Sequence, residues 1–175
     1  MQIDIRLVRP EDAAQIIEYA KIVGAETDCL ILDENGMPGL TIEKEADFLR
    51  QLPTEHSAMY GAFCGTLPIG IANIQGSNRE RIAHRASIGI SVRRDYWRQG
   101  IGSRLMEALI TFAERSPCIA QLELEVRRDN AAALALYRKF GFRIYGEMDR
   151  AFKINGVCRG AYDMLLQLDK KGQKP

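Results

Sequence analysis

Val92-Arg93-Arg94-Asp95-Tyr96-Trp97-Arg98-Gln99-Gly100-Ile101-Gly102-Ser103-Arg104-Leu105 is the stretch on which the fold turns. It closes an alternating apolar run, crosses a short polar loop, and sets two glycines where a helical pattern begins. Amides of a first helical turn lack intrahelical acceptors, so they converge on one spot, and the helix dipole adds positive potential there. A phosphate fits such a spot. Gly100 and Gly102 bring no side chain to block its approach, and Arg98 supplies a charge that pairs with phosphate oxygens.

Upstream, Ile3, Ile5 and Leu7 alternate as a half-buried strand does, and Pro10-Glu11-Asp12 opens an acidic first helical turn. Ala13, Ile16, Ile17, Ala20 and Val23 keep helical spacing up to Gly24, which takes the place of a C-terminal cap. Turn residues from Asp33 to Gly39 predict a loop. Thr41 then caps a second helix, with Lys44 and Glu45 on its wet side, Ala46, Phe48, Leu49 and Leu52 on its apolar side, and Pro53 ending it. Residues 58–63 and 69–74 read as a hairpin turning at 65–68, and 86–92 as a third antiparallel strand.

Downstream, helices alternate with short strands. Leu105, Met106, Leu109, Ile110 and Ala113 form one helical face. In 119–126, Leu122, Leu124 and Val126 alternate with Glu123 and Glu125. A helix over 131–140 closes at Gly141, and final strands fall at about 142–151 and 160–168. The pattern predicts an α/β fold with one mixed, mostly antiparallel sheet of about seven strands flanked by helices. One domain over 1–170 and a polar tail at 171–175 are expected.

Lysine plus arginine, 24, balance aspartate plus glutamate, 23, so no nucleic-acid partner and no anionic membrane surface is expected. No apolar run approaches the ~20 residues of a membrane span, and the N-terminus lacks a leader pattern, which predicts a cytoplasmic address. Cys29, Cys64, Cys118 and Cys158 show no paired spacing, and only His56 and His84 join them, so no metal is expected.

Two nucleotide motifs fail on the residues themselves. A Walker loop needs Lys followed by Ser or Thr after its last glycine, where Ser103-Arg104 stands. A dinucleotide fingerprint needs a third glycine, where Leu105 stands, although Glu123 and Glu125 lie at the right distance downstream to hold a ribose. The stretch instead resembles the GNAT superfamily of N-acetyltransferases, whose pyrophosphate loop has the form Arg/Gln-x-x-Gly-x-Gly/Ala. Gly100-Ile101-Gly102 matches, and Trp97 replaces the usual Arg or Gln. A second family block matches Asn130, Ala133, Leu136-Tyr137 and Gly141-Phe142. The likeness is strong over 86–142 and looser on either side.

The resemblance implies acetyl-coenzyme A as cosubstrate, transferring its acetyl group to a primary amine of a small molecule or amino acid by direct attack in a ternary complex. It implies that Arg98, Gln99, Gly100, Ile101, Gly102 and Ser103 hold the diphosphate. The backbone of Ile90, Ser91 and Val92 would pair with the pantetheine arm. Asn130 is either a ligand of that arm or an N-cap, and Tyr137 is the expected general acid as well as a cofactor contact. Relatives often place a glutamate base on the strand before the loop, where this chain has Ser87; Glu125, then Glu123 and His84, are the substitutes. Arg94 and Lys139 are candidates for the 3′-phosphate. Residues 145–156 resemble the final hairpin of bacterial members that acetylate small amines, with Tyr145 and Gly160 replacing two acidic residues common there. The sequence leaves a homodimer open, and it leaves a rival from another class, a catalytically silent coenzyme A-binding regulatory module.

Overall fold

The computed structural model describes residues 2–169, so the tail expected at 171–175 lies outside the described residues. The elements are β1 (Asp4–Leu7), α1 (Ala13–Glu26), α2 (Ile42–Arg50), β2 (Ser57–Cys64), β3 (Leu67–Gly76), β4 (Arg85–Val92), α3 (Ile101–Arg115), β5 (Gln121–Arg127), α4 (Ala131–Lys139), β6 (Arg143–Ile154) and β7 (Val157–Gln167). They build one seven-stranded sheet in the order β1-β2-β3-β4-β5-β7-β6. Every pairing is antiparallel except β4 with β5.

Strand alternation sends side chains to two faces. Ile74, Ile88, Leu122 and Leu124 are buried with Ile101, Leu105, Met106 and Leu109 of α3 and Leu134 and Tyr137 of α4. Val8, Ala13, Ile16, Ala46, Leu49 and Phe63 form a second cluster that seats α1 and α2 on the other face. Burying each such aliphatic side chain contributes ~1.5–3 kcal/mol, which fixes both helix layers against the sheet.

Four expectations are corrected. Gly24 lies inside α1, where a Cβ would sit 1.9 Å from the Asp33 carbonyl oxygen, so it admits the following loop and does not cap the helix. Thr41 does accept from the Lys44 amide, but α2 is turned: Glu45 is buried at 4% exposure, with its carboxyl pushed up by desolvation, and Phe48 is 45% exposed. The β2–β3 turn is the pair Gly65-Thr66. The last two strands run on to meet at Asn155-Gly156, where both residues have positive φ (48° and 79°), the geometry of a type I′ hairpin turn.

One irregularity positions the site. β4 and β5 pair only at Arg85–Gln121, Ala86–Leu122 and Ser87–Glu123. Past Ser87 and Glu123 the two strands share no register, so the sheet splays between the later halves of β4 and β5. Backbone amides and carbonyls along that split need other partners.

Candidate active site

The splay opens a cleft of about 400 Å³. Ile90, Ser91 and Val92 of β4 form one wall, Asn130, Leu136 and Tyr137 of α4 another, and Thr27, Cys29 and Leu30 after α1 a third. Arg98, Gly100, Ile101 and Gly102 close its end. Sequence reading therefore brought nine of its residues into one cavity: Ile90, Ser91, Val92, Arg98, Gly100, Ile101, Gly102, Asn130 and Tyr137. Gln99, Ser103 and Glu125 are outside that lining. The Gln99 side-chain amide donates to the Asp95 carbonyl at 3.2 Å, and Ser103 Oγ accepts from Lys139 Nζ at 3.2 Å, tying α4 to α3.

The end wall is built for an anion. The first intrahelical bond of α3 runs from Arg104 N to the Gly100 carbonyl, and no side chain caps the amides before it. Gly100 has φ of 76°, the left-handed region that glycine adopts without strain, and this turns the loop into the helix. At Gly102 a Cβ would lie 3.3 Å from Leu136 Cδ2, so the two helices approach closely across the cleft. Trp97, the departure from the family loop, donates its indole N–H to the Val92 carbonyl at 2.6 Å and braces the loop on β4.

The remaining candidates separate by chemistry. Tyr137 is 7% exposed, and burial pushes its phenol up to about 12, so it holds its proton at neutral pH. Asn130 Oδ1 accepts from the Ala133 amide at 3.1 Å: it is the N-cap of α4 and also lines the cleft. Glu123 is held by Arg85 through two bonds of 2.6 and 2.7 Å, which lower its carboxyl below the usual range and remove it as a base. His84 precedes β4 at the strand end opposite Val92. Glu125 is exposed on β5 two residues beyond the last β4–β5 pair, on the face opposite Leu124 and Val126. Among the described residues no ion pair or hydrogen bond engages it.

Three contributors had no signal in the sequence. Arg127, 5% exposed, binds both Asp129 carboxylate oxygens at 2.8 and 2.7 Å and the Asp28 carbonyl at 2.8 Å, clamping the loop after α1 to the end of β5. Tyr19 of α1 and Ser91 share a hydroxyl hydrogen bond at 3.0 Å, so Ser91 offers the cleft its backbone. Glu26 accepts from the Arg94 amide at 2.7 Å. At the far end of the sheet, the donor atoms of Glu55, His56 and Cys118 lie within 4.8 Å of one another, a grouping that linear spacing concealed.

A split strand pair closed by uncapped helix amides suits the diphosphate-bearing cosubstrate of an acetyl-coenzyme A-dependent acetyltransferase, and the similarity to known proteins puts the chain in that class. Residues 28–142 match the model of the acetyltransferase (GNAT) family, and the chain belongs to that family. It is 37% identical over 119 residues to the N-alpha-acetyltransferase RimI of Mycobacterium tuberculosis, covering 68% of this chain and 72% of that protein. It is 33% identical over 96 residues to the L-amino acid N-acetyltransferase AaaT of Escherichia coli, covering 55% of this chain and 59% of that one. A GNAT-family acetyltransferase structure from Streptococcus pneumoniae superposes with a TM-score of 0.92 at 34% identity, covering 95% of this chain and all of the other. No helix among the described residues is long and apolar enough to cross a membrane.

Proposed function

We propose that this protein transfers the acetyl group of acetyl-coenzyme A to a primary amine of a small molecule or amino acid by direct attack in a ternary complex. One observation carries most of the reading: uncapped α3 amides and the buried Tyr137 phenol belong to the same cleft. The stretch from Arg98 to Ser103 would hold the diphosphate, and the backbone of Ile90 to Val92 would pair with the pantetheine amides along the split. The amine nitrogen attacks the thioester carbon, a C–N bond forms and the C–S bond breaks. Glu125, which no ion pair or hydrogen bond engages among the described residues, takes the amine proton, and Tyr137 gives one to the departing thiolate.

By their names RimI is an N-alpha-acetyltransferase and AaaT acts on L-amino acids, which favours an amine on an amino acid or at a peptide N-terminus. The test is free-thiol release with a panel of amino acids, polyamines, aminoglycosides and peptide N-termini. Turnover of any member supports transfer. Tight acetyl-coenzyme A binding without turnover across the panel favours the silent module, and preference for NAD or ATP over coenzyme A overturns the cofactor assignment.

A further inference from the structure

We infer that Glu55, His56 and Cys118 form a zinc site away from the cleft, with water as the fourth ligand. It is independent of the cofactor reading, because none of the three lines that cavity. Glu55 and His56 directly precede β2, and Cys118 lies in the link from α3 to β5. Their ligand atoms all lie within 4.8 Å of one another. Tetrahedral ligands ~2.0–2.3 Å from zinc stand ~3.3–3.8 Å apart, so a small side-chain movement closes the three around an ion.

The backbone that carries these side chains is fixed by the protein itself. Ser116 Oγ donates to the Glu55 carbonyl at 2.8 Å and accepts from the Cys118 and Ile119 amides at 3.3 and 3.2 Å, so segments 61 positions apart are held side by side. The Gly76 amide donates to the His56 carbonyl at 2.9 Å, and a Cβ on Gly76 would sit 3.0 Å from His56 Cβ, so the end of β3 packs directly on His56. Preset positions of this kind lower the entropy that ligands lose on closing around a metal.

A separate observation points to a ligand. His56 Nδ1 is buried and has no hydrogen-bond partner. A ring nitrogen cut off from water and left unpaired carries a desolvation cost, which a bond to a metal removes. Cys118 is a free, half-buried thiol, and thiolate with imidazole is the donor pair that suits zinc, with a carboxylate as third ligand. Glu55 is exposed, which leaves the fourth position open to water. On binding, the Cys118 thiol passes its proton to solvent, and the ion staples the start of β2 to the segment that enters β5.

The test uses the full chain without a polyhistidine tag, freed of metal by a chelator. Calorimetry with Zn2+ should show one ion bound per chain, and Co2+ should give a thiolate-to-metal charge-transfer band with the intense visible absorption of tetrahedral cobalt. Zn2+ at a hundredfold excess over Kd should raise Tm by about 5 °C. Cys118→Ser and His56→Gln should each weaken uptake at least ~100-fold, since changes one shell further out already cost about 10–100-fold, whereas exposed Cys158→Ser should leave it unchanged. In the parent, which needs no variant to fold, Zn2+ should shield Cys118 from iodoacetamide and EDTA should restore the reaction. Absence of stoichiometric uptake, uptake that survives both ligand substitutions, or Cys118 alkylated equally fast with and without Zn2+ overturns the inference.

Discussion

The indole N–H of Trp97 donates to the carbonyl of Val92 at 2.6 Å, so a residue outside the family loop pattern joins the end of β4 to the turn that starts α3. The last β4 carbonyl is satisfied by the loop, and the loop is set at a fixed angle to the cleft. Trp97→Phe keeps a ring under the Arg94 guanidinium, which lies 5.8 Å from the ring centroid, and removes only the bond. Its loss should weaken acetyl-coenzyme A binding about fivefold, the equivalent of ~1 kcal/mol for one exposed hydrogen bond. Calorimetry giving an unchanged Kd would refute the bracing role.

Gly102→Asp sets a carboxylate where the diphosphate is to rest and crowds Leu136 Cδ2, 3.3 Å from the new Cβ. Like charges brought together at a binding site cost several kcal/mol, so affinity for acetyl-coenzyme A should fall at least ~100-fold. Circular dichroism should show the fold retained. Gly100→Ala is the contrasting variant: nothing lies within 4 Å of its Cβ, but φ of 76° strains it, so it should lose ~1 kcal/mol of stability in urea unfolding. Uptake undiminished in Gly102→Asp removes the cradle from the mechanism.

How legible the site was depended on whether its residues signal locally. Gly100, Gly102 and Asn130 announce themselves through turn and cap chemistry that acts within a few positions, and all three line the cleft. Glu45 misled because helical spacing reports a face only to within one residue, and the packing of Ala46 and Leu49 of α2 against Val8, Ala13, Ile16 and Phe63 turned it inward. Arg127 was invisible because its partner Asp28 is 99 positions away and an arginine after a strand ordinarily reads as solvated. The Asn155-Gly156 turn sits between Phe152-Lys153-Ile154 and Val157-Cys158-Arg159, a strong hairpin signal, yet the expected strands stop short of it at about 151 and 160.

Arg127→Ala should release the loop bearing Thr27, Cys29 and Leu30 from the end of β5. It leaves Asp28 and Asp129 without their shared cation, and because both carboxylates are more than half exposed to water the loss is that of hydrogen bonds to a charged group, ~2 kcal/mol. Urea unfolding should register that loss. Limited proteolysis should cut within 28–40 sooner than in the parent. Arg127→Lys, which keeps charge and loses the bidentate fork, should recover only part of either effect. Full recovery by lysine would reduce the clamp to a simple charge effect.

Asp12 accepts two bonds from Arg6, at 2.7 and 2.8 Å, and one from the Arg9 amide at 2.8 Å, and the Arg6 guanidinium stacks 3.7 Å from the Phe63 ring centroid. The Arg6 hydrogen bonds hold the Asp12 carboxyl below its usual value. Its contribution is therefore complete above the unfolded value near ~4 and is lost as pH falls through the depressed native value. Asp12→Asn should cost ~2 kcal/mol at neutral pH, the range for hydrogen bonds to a charged group. The gap from the parent should narrow from about pH 5 downward. A gap that stays constant from neutral to acid would show that the ion pair is not what links stability to pH here.

Tyr137 and Glu125 should separate in kinetics, because one donates a proton at the leaving sulfur and the other removes one from the amine. Tyr137→Phe deletes a hydroxyl that no hydrogen bond engages among the described residues, so melting should be little changed, while kcat falls ~100-fold or more. The phenol of the parent, at about 12, stays protonated through the usual assay range, so it should impose no fall in kcat on the alkaline side below about pH 11. Glu125→Gln should instead flatten the acid limb of kcat/KM, and raising the pH to deprotonate the free amine should restore part of the rate. If Tyr137→Phe keeps the parental kcat, the proton reaches the thiolate by another route. If Glu125→Gln leaves the pH profile untouched, water in the open end of the splay is doing the work assigned to the carboxylate.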